Sequence, residues 1–154
     1  MRFLGGLRAR SLRLLATGAF FVAVIGTAQA TDAFVVVVNS SVAGTNVHRA
    51  DLAAVFLKKA VRWGDGSPAN PVDQSGTSPV RKGFSETVLH MPVMAVVQYW
   101  GRQLASMAAS VRPPTVKGSD EEVLAYVAKT SGAVGYVATG ISLPAGVKAV
   151  AIVE

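Results

Sequence analysis

The chain has 154 residues, and 51% of them are hydrophobic. It contains no cysteine, which excludes disulfide bonds, a thiolate metal site and a lipid-anchored export signal. Its formal net charge of +6 is unevenly distributed, because fifteen basic residues face nine acidic ones and part of the excess lies at the N-terminus.

Residues 1–30 have the pattern of a secretory signal peptide. Four arginines and no acidic residue precede a mostly apolar stretch over 14–25, and an A-x-A cleavage sequence follows at 28–30. This stretch is shorter than the roughly 20 residues that a membrane-spanning helix needs. We therefore expect cleavage after Ala30, export to the periplasm, and one mature domain over 31–154.

Removal of the leader changes the charge balance of the mature domain. Eleven basic residues then remain against nine acidic ones, a net charge of only +2. The mature chain has no basic tract of the kind that binds nucleic acid. Nucleic acid is therefore excluded as an expected partner.

The first half of the mature chain predicts a strand followed by a short helix. The apolar run over 34–38 is typical of a strand buried on both faces. Leu52, Val55 and Phe56 then recur at helical spacing, with Lys58 and Lys59 expected in the last turn of that helix. A short second strand is expected over 70–73, after a turn-rich segment.

Two prolines mark the starts of the next two helices. Pro79 suits the first helical position, with Ser78 or Thr77 as N-cap. Pro92 opens a third helix, which the pair Pro113 and Pro114 forbids from continuing. The buried face of this third helix is predicted to be a broad apolar stripe: Val93, Val96, Val97, Trp100, Leu104 and Met107.

The end of the chain predicts a fourth helix and two strands. Residues 119–122 form an S-x-x-E capping box, and Gly132 suits the left-handed position after the helix end. Apolar runs over 133–137 and 147–153 predict two further strands. The alternation predicts a small α/β domain with a mostly parallel sheet, one strand possibly antiparallel, and helices on both faces.

Several short sequences, taken in order, carry a resemblance to a known family: "VVVVN" at 35–39, "DLAAVFLKKAVRWGDG" at 51–66, "SGT" at 75–77, "YW" at 99–100, "RPP" at 112–114 and "GAVGYV" at 132–137. Together they resemble one lobe of the phosphate-binding receptors of ABC importers. They resemble more closely the short, single-lobe proteins of the phosphate-transporter substrate-binding-like kind. The resemblance implies one lobe of a periplasmic-binding-protein fold.

The resemblance also implies a site. In that family phosphate is held between two lobes, partly by an S-G-T turn at a helix N-terminus, which corresponds to Ser75, Gly76 and Thr77 here. Asp73, just before the turn, would accept a hydrogen bond from a protonated phosphate oxygen. Independently of the resemblance, the position of Arg81 one turn into the helix would let it pair with the anion through two hydrogen bonds.

Elementary physics favours the same turn, although an alternative stays open. Free amides at a helix N-terminus bind anions, and glycine lets the backbone approach closely. Pro79, however, removes one amide donor, and the turn would also serve as a plain helix cap. A half-site of this kind is expected to bind at about millimolar concentration or more weakly, unless a second chain closes over it.

Two functional hypotheses follow. The first is a periplasmic solute-binding-like protein that binds phosphate or a similar oxyanion weakly and works with a membrane transporter. The second is a non-transport interaction or sensory module that uses the same lobe to bind a sensor protein, a channel or its own copy. Neither requires a cofactor.

Enzymatic activity and metal binding are not expected. The sequence has no G-x-S-x-G nucleophile elbow. Only two histidines, His48 and His90, are present, and no H-E-x-x-H spacing occurs.

Overall fold

The computed structural model describes residues 34–106 and 111–154. They form a six-stranded sheet in the order β2-β6-β1-β5-β3-β4. The strands are β1 Phe34–Asn39, β2 Asn46–His48, β3 Asn70–Gln74, β4 Thr115–Lys117, β5 Ala133–Ala138 and β6 Val147–Val153. The helices are α1 Arg49–Phe56, α2 Pro79–Phe84, α3 Val93–Ala105 and α4 Asp120–Lys129, with a π-helical segment at Ser85–Leu89.

One strand runs against the direction of the other five. The central strand β1 pairs antiparallel with both β5 and β6. The pairs β2 with β6, β3 with β4 and β3 with β5 are parallel. The sheet is therefore mostly parallel with one antiparallel strand, as the sequence predicted.

Strand β1 separates two hydrophobic cores. Val36 and Val38 point into the larger core, which α1, α2, the π-helical segment and α3 complete. Val37 points to the opposite face, where Val123 and Val127 of α4 cover the sheet. Helices therefore lie on both faces, and alternate side chains of one apolar strand contribute to each core.

The helix boundaries follow the predicted signals at most ends. Pro79 is the first residue of α2, and Ser78 is its N-cap and accepts a hydrogen bond from the amide of Arg81. Ser119 caps α4 through the amide of Glu122. Gly132 has a φ of +71°.

The structure corrects the predicted end of the first helix. Helix α1 ends at Phe56, so Lys58 and Lys59 lie beyond it and not in its last turn. Lys58 has a φ of 54°, which is the left-handed conformation that glycine usually occupies. This residue therefore helps to end the helix.

The structure also corrects the predicted buried face of the third helix. Val96 and Trp100 are 1% and 8% exposed, as expected for core residues. Val97 and Leu104 are 54% and 55% exposed, because only part of the predicted stripe packs against the larger core. Met107 lies outside the described residues.

Candidate functional site

The S-G-T turn lies between the end of β3 and the start of α2. Strand β3 ends at Gln74, and the turn is followed by the N-cap Ser78 and by Pro79. Gly76 and Thr77 are exposed, and Ser75 is half-buried. The order strand, turn and helix places these three residues at the surface next to a helix N-terminus.

Gln74 fixes this turn to two neighbouring elements. Its side-chain oxygen accepts a hydrogen bond from the Ser78 hydroxyl at 2.8 Å. Its side-chain nitrogen donates to Asp120 Oδ1 at 2.7 Å and to the carbonyl of Tyr136 at 2.8 Å. One buried amide side chain thus joins the starts of α2 and α4 to strand β5.

Two of the turn's backbone amides are used within the fold. Ser75 donates its amide hydrogen to the Lys117 carbonyl at 3.0 Å, and Ser78 donates to the Ser75 carbonyl at 3.0 Å. The hydrogen bonds of the described residues include no acceptor for the amides of Gly76 and Thr77. The hydroxyls of Ser75 and Thr77 lie 3.1 Å apart. One of these hydroxyls donates to the other, so the turn offers two amides and one hydroxyl hydrogen to a ligand.

The predicted site residues Asp73 and Arg81 contact each other beneath the turn. Asp73 is 6% exposed and Arg81 is 5% exposed. Asp73 Oδ1 accepts hydrogen bonds from an Arg81 guanidinium nitrogen, from the Tyr136 hydroxyl and from the Gln74 amide. Asp73 Oδ1 and one guanidinium nitrogen of Arg81, which the sequence assigned to an anion, are therefore used inside this buried cluster.

The helix side of this buried cluster has two polar atoms without partners. Arg81 Nε and Ser85 Oγ are buried and have no hydrogen-bond partner among the described residues. Arg81 and Ser85 lie four residues apart, on the same side of the helical segment that begins with α2. The unpaired atoms raise the free-energy cost of burying the Arg81 side chain. The ion pair with Asp73 has to offset this cost.

The buried phenol of Tyr136 gives the fold a pH dependence. Burial, together with the negative charge of Asp73, raises the pKa of Tyr136 above its ordinary value of 10.0. Above about pH 10 the phenol of the unfolded chain loses its proton while the folded chain keeps it. The free energy of unfolding is therefore expected to fall as the pH rises, by up to ~1.4 kcal/mol per pH unit from this group.

Urea denaturation between about pH 8 and pH 11 measures this slope. The variant Tyr136→Phe should lose this part of the slope, whereas Tyr126→Phe, whose side chain is only half-buried, should keep it. Equal slopes for the unmodified chain and Tyr136→Phe would contradict the assignment.

Lys82 is the residue at the turn that sequence reasoning missed. It is exposed, and it lines a shallow hollow of about 390 Å³ together with Gly76, Thr77, Ser78, Pro79, Glu86, Pro92 and Val93. No ion pair of Lys82 occurs among the described residues. The sequence contained a signal for the exposure of Lys82. The spacing of the apolar residues of α2 turns Arg81 inward and leaves Lys82, the next residue, at the surface.

A second hollow of about 390 Å³ is lined by residues that include His48, Asp51 and Trp63. Several of its polar groups are already paired within the fold: Trp63 Nε1 donates to the Gly132 carbonyl, Arg62 donates to the Gly66 carbonyl, and Asp65 accepts from Ser67. This hollow has fewer free donors and acceptors than its lining suggests.

The described residues contain no group of three or more side chains suited to hold a metal ion. None of the helices in this part of the chain has the length and apolar character needed to cross a membrane.

Sequence comparison gives no match to a protein family and none to a curated protein. Structural comparison does find similar folds. A phosphate transport receptor of the ABC type from Vibrio cholerae superposes with a TM-score of 0.59 at 18% identity over 79% of this chain and 46% of the receptor.

Two further receptors give similar values. A phosphate ABC transporter substrate-binding protein from Clostridium perfringens, solved with bound phosphate, has a TM-score of 0.59 at 14% identity, covering 79% of this chain and 45% of its own. PstS from Borrelia burgdorferi has a TM-score of 0.58 at 15% identity over 79% and 47% of the two chains.

The chain spans less than half the length of these receptors. The similarity is one of fold: the mixed α/β sheet with its helices matches one lobe of a periplasmic-binding-protein-like fold.

Proposed function

We propose that this chain is a periplasmic solute-binding-like protein that binds phosphate or a similar oxyanion weakly, without enzymatic activity. The observation that carries the proposal is the exposed turn at Ser75, Gly76 and Thr77, in which two backbone amides have no acceptor among the described residues. Two of the structures with a similar fold support it, because one is a phosphate transport receptor and the other was solved with bound phosphate. Export through a signal peptide over 1–30 and delivery to a membrane transporter are part of the proposal.

The proposal assigns different roles to the five predicted site residues. Ser75, Gly76 and Thr77 contact the anion through amides and hydroxyls. Arg81 and Asp73 hold the turn from below, because they are buried and bonded to each other. The cation that faces the anion is Lys82, which lines the same hollow as Gly76 and Thr77.

The expected affinity is low. Two amide bonds and one charged bond at about 1.5 to 3 kcal/mol each only just offset an association cost of roughly 4 to 15 kcal/mol. Glu86 also lines the hollow and opposes a negative ligand. A dissociation constant of about 1 mM or weaker is therefore expected.

Thermal unfolding of residues 31–154 in phosphate tests the site. The sheet and both cores consist of residues from 34 onward, so this segment contains the whole described fold. With a dissociation constant of about 1 mM, ~10 mM phosphate stabilises the folded state by about 1.4 kcal/mol and raises Tm by a few degrees. Thr77→Ala and Lys82→Ala should each reduce this rise, with Lys82→Ala weakening binding about ten-fold.

The matched control is Lys129→Ala, which removes an exposed lysine at the end of α4. It should leave the effect of phosphate unchanged, and sodium chloride of equal ionic strength should not reproduce that effect. An identical Tm with and without phosphate would overturn the proposal, as would an equal response of Lys82→Ala and Lys129→Ala.

A second candidate function is a protein-interaction module built on the same lobe. The observation that favours it is the exposed apolar side of α3, where Val97 and Leu104 are more than half exposed.

A further inference from the structure

A third hollow in the surface is lined by basic side chains and, within the described part of the chain, by no acidic one. Its volume is about 360 Å³, and Lys58, Arg112, Thr115 and Tyr126 supply hydrogen-bond donors to its lining. It is here called the basic hollow.

The basic hollow lies at the opposite end of β3 from the S-G-T turn. Asn70 and Pro71, the first two residues of β3, line it, whereas the turn follows Gln74, the last residue of that strand. Thr115, the first residue of the parallel strand β4, lines the same end. The basic hollow and the hollow at the turn therefore share no residue.

Lys58 carries two free-energy costs that no ion pair among the described residues offsets. Its φ of 54° is the left-handed conformation, which is unfavourable for a residue with a Cβ atom. Lys58 is also half-buried, and burial lowers the pKa of its ammonium group, because the group loses hydration without gaining an anion. Uncompensated costs of this kind are typical of ligand sites.

Arg112 supplies the second cation of the basic hollow. Because Pro113 follows it, the backbone of Arg112 is restricted to extended conformations. Arg112 is exposed, and it too forms no ion pair within the described residues. A guanidinium group in this position can donate two parallel hydrogen bonds to a phosphate group.

Two hydroxyl groups and several apolar side chains complete the lining. Unlike the hydroxyls of Tyr99 and Tyr136, the hydroxyl of Tyr126 has no hydrogen-bond partner among the described residues. Thr115 is exposed and supplies the second hydroxyl. The lining therefore combines donors for an anion with walls for an organic group. Its apolar residues are Val61, Pro71, Val111, Pro113 and Pro114.

The charges next to the basic hollow also favour an anion. Lys117 Nζ lies 5.9 Å from the centre of the Tyr126 ring. Glu122, one turn before Tyr126 on α4, does not line the hollow, and its carboxylate accepts a hydrogen bond from the Gly118 amide at 2.7 Å. Together with the two lining cations, Lys117 produces a positive potential that attracts an anion with more than one charge.

We propose that the basic hollow binds a small organic phosphomonoester. Lys58 and Arg112 pair with the phosphate group, which carries about two negative charges at neutral pH. The hydroxyls of Thr115 and Tyr126 donate to its oxygens, and the organic part lies against the proline and valine side chains. A phosphate group fits because all four side chains are donors, whereas its terminal oxygens, when ionised, only accept. The proposal stands whether or not the S-G-T turn binds an anion.

Backbone-amide NMR of isotope-labelled residues 31–154 tests the proposal, with phenyl phosphate as the probe. At about 10 mM probe and about pH 7.5, where the phosphate group is mostly doubly charged, the amide signals of Thr115 and Tyr126 should shift. Lys58→Gly and Arg112→Ala should each weaken binding about ten-fold, the usual effect of removing one charge-assisted hydrogen bond. Glycine is chosen at position 58 because it readily adopts the left-handed conformation, so the fold is retained.

The matched control is Lys59→Ala, which removes the adjacent, exposed lysine that does not line the basic hollow. It should leave the affinity for phenyl phosphate unchanged. The amide signals of Gly76 and Thr77 report on the turn separately, so this proposal and the anion site at the turn can fail independently. Unshifted signals at the basic hollow would overturn the proposal, as would an equal loss of affinity for Lys58→Gly and Lys59→Ala. Inorganic phosphate that bound there as tightly as phenyl phosphate would overturn the assignment to an organic ligand.

Discussion

Replacing Asp73 with alanine is expected to lower the free energy of unfolding by about 3 to 5 kcal/mol, the usual cost of removing one partner of a buried ion pair. Asp73 Oδ1 accepts from Arg81, from the Tyr136 hydroxyl and from the Gln74 amide. Without the carboxylate, the Arg81 guanidinium stays in a site where it is only 5% exposed, and among the described residues it keeps one weak hydrogen bond, of 3.4 Å, to the Gln74 carbonyl. The charge is then buried almost uncompensated.

Urea denaturation at pH 7 measures this loss, with Asp51→Ala as the control because Asp51 is exposed in the first turn of α1. The free energy of unfolding of Asp51→Ala should fall by no more than about 1 kcal/mol. The double variant Asp73→Leu with Arg81→Met removes both charges, and it should be more stable than Asp73→Ala alone. A loss for Asp73→Ala as small as that for Asp51→Ala would show that the pair is not buried as described.

Replacing Gly132 with alanine is expected to lower the free energy of unfolding by about 3 kcal/mol or more. Gly132 has a φ of +71°, and a Cβ atom there would lie 1.9 Å from the carbonyl oxygen of Pro68. The same residue accepts hydrogen bonds from the Asn70 amide and from Trp63 Nε1. The backbone cannot move away from Pro68 without losing these bonds.

Gly140→Ala separates the two causes of that loss. Gly140 has a φ of +82°, and an added Cβ atom there would meet nothing within 4 Å. Its replacement by alanine should therefore lower the free energy of unfolding only by the strain of an alanine in the left-handed conformation, about 1 to 2 kcal/mol. Both variants are measured in the same urea titration. If Gly132→Ala were no less stable than Gly140→Ala, close packing against Pro68 would not be the cause.

The local signals in the sequence predicted the elements that carry them. Ser78, Ser119 and Pro79 were predicted at helix starts and stand there, because a cap or a first-turn proline depends only on its near neighbours. The edge strands β2 and β4 were not predicted. Each has three residues, too few to show a period, and each is defined by pairing with a strand distant in the sequence.

The candidate site was predicted in part for the same reason. The S-G-T turn is a local feature, and its place between β3 and α2 follows from the residues on either side. The pairing of Asp73 with Arg81 and Tyr136 was not predicted, because Tyr136 belongs to β5, 63 residues further along the chain. Whether a charged side chain faces a ligand or a buried partner depends on which elements pack around it.

The sequence by itself determined the strands with long apolar runs, the capped helix starts and the turn at Ser75 to Thr77. It also allowed for one antiparallel strand without saying which. These depend on side-chain size, hydrogen bonding and backbone freedom over a few residues. Only the tertiary structure decided that β1 is the antiparallel strand, that Arg81 is buried while Lys82 is exposed, and that Val97 and Leu104 of the predicted α3 face are left exposed. Those outcomes depend on contacts between distant segments, whose free energies the local sequence does not specify.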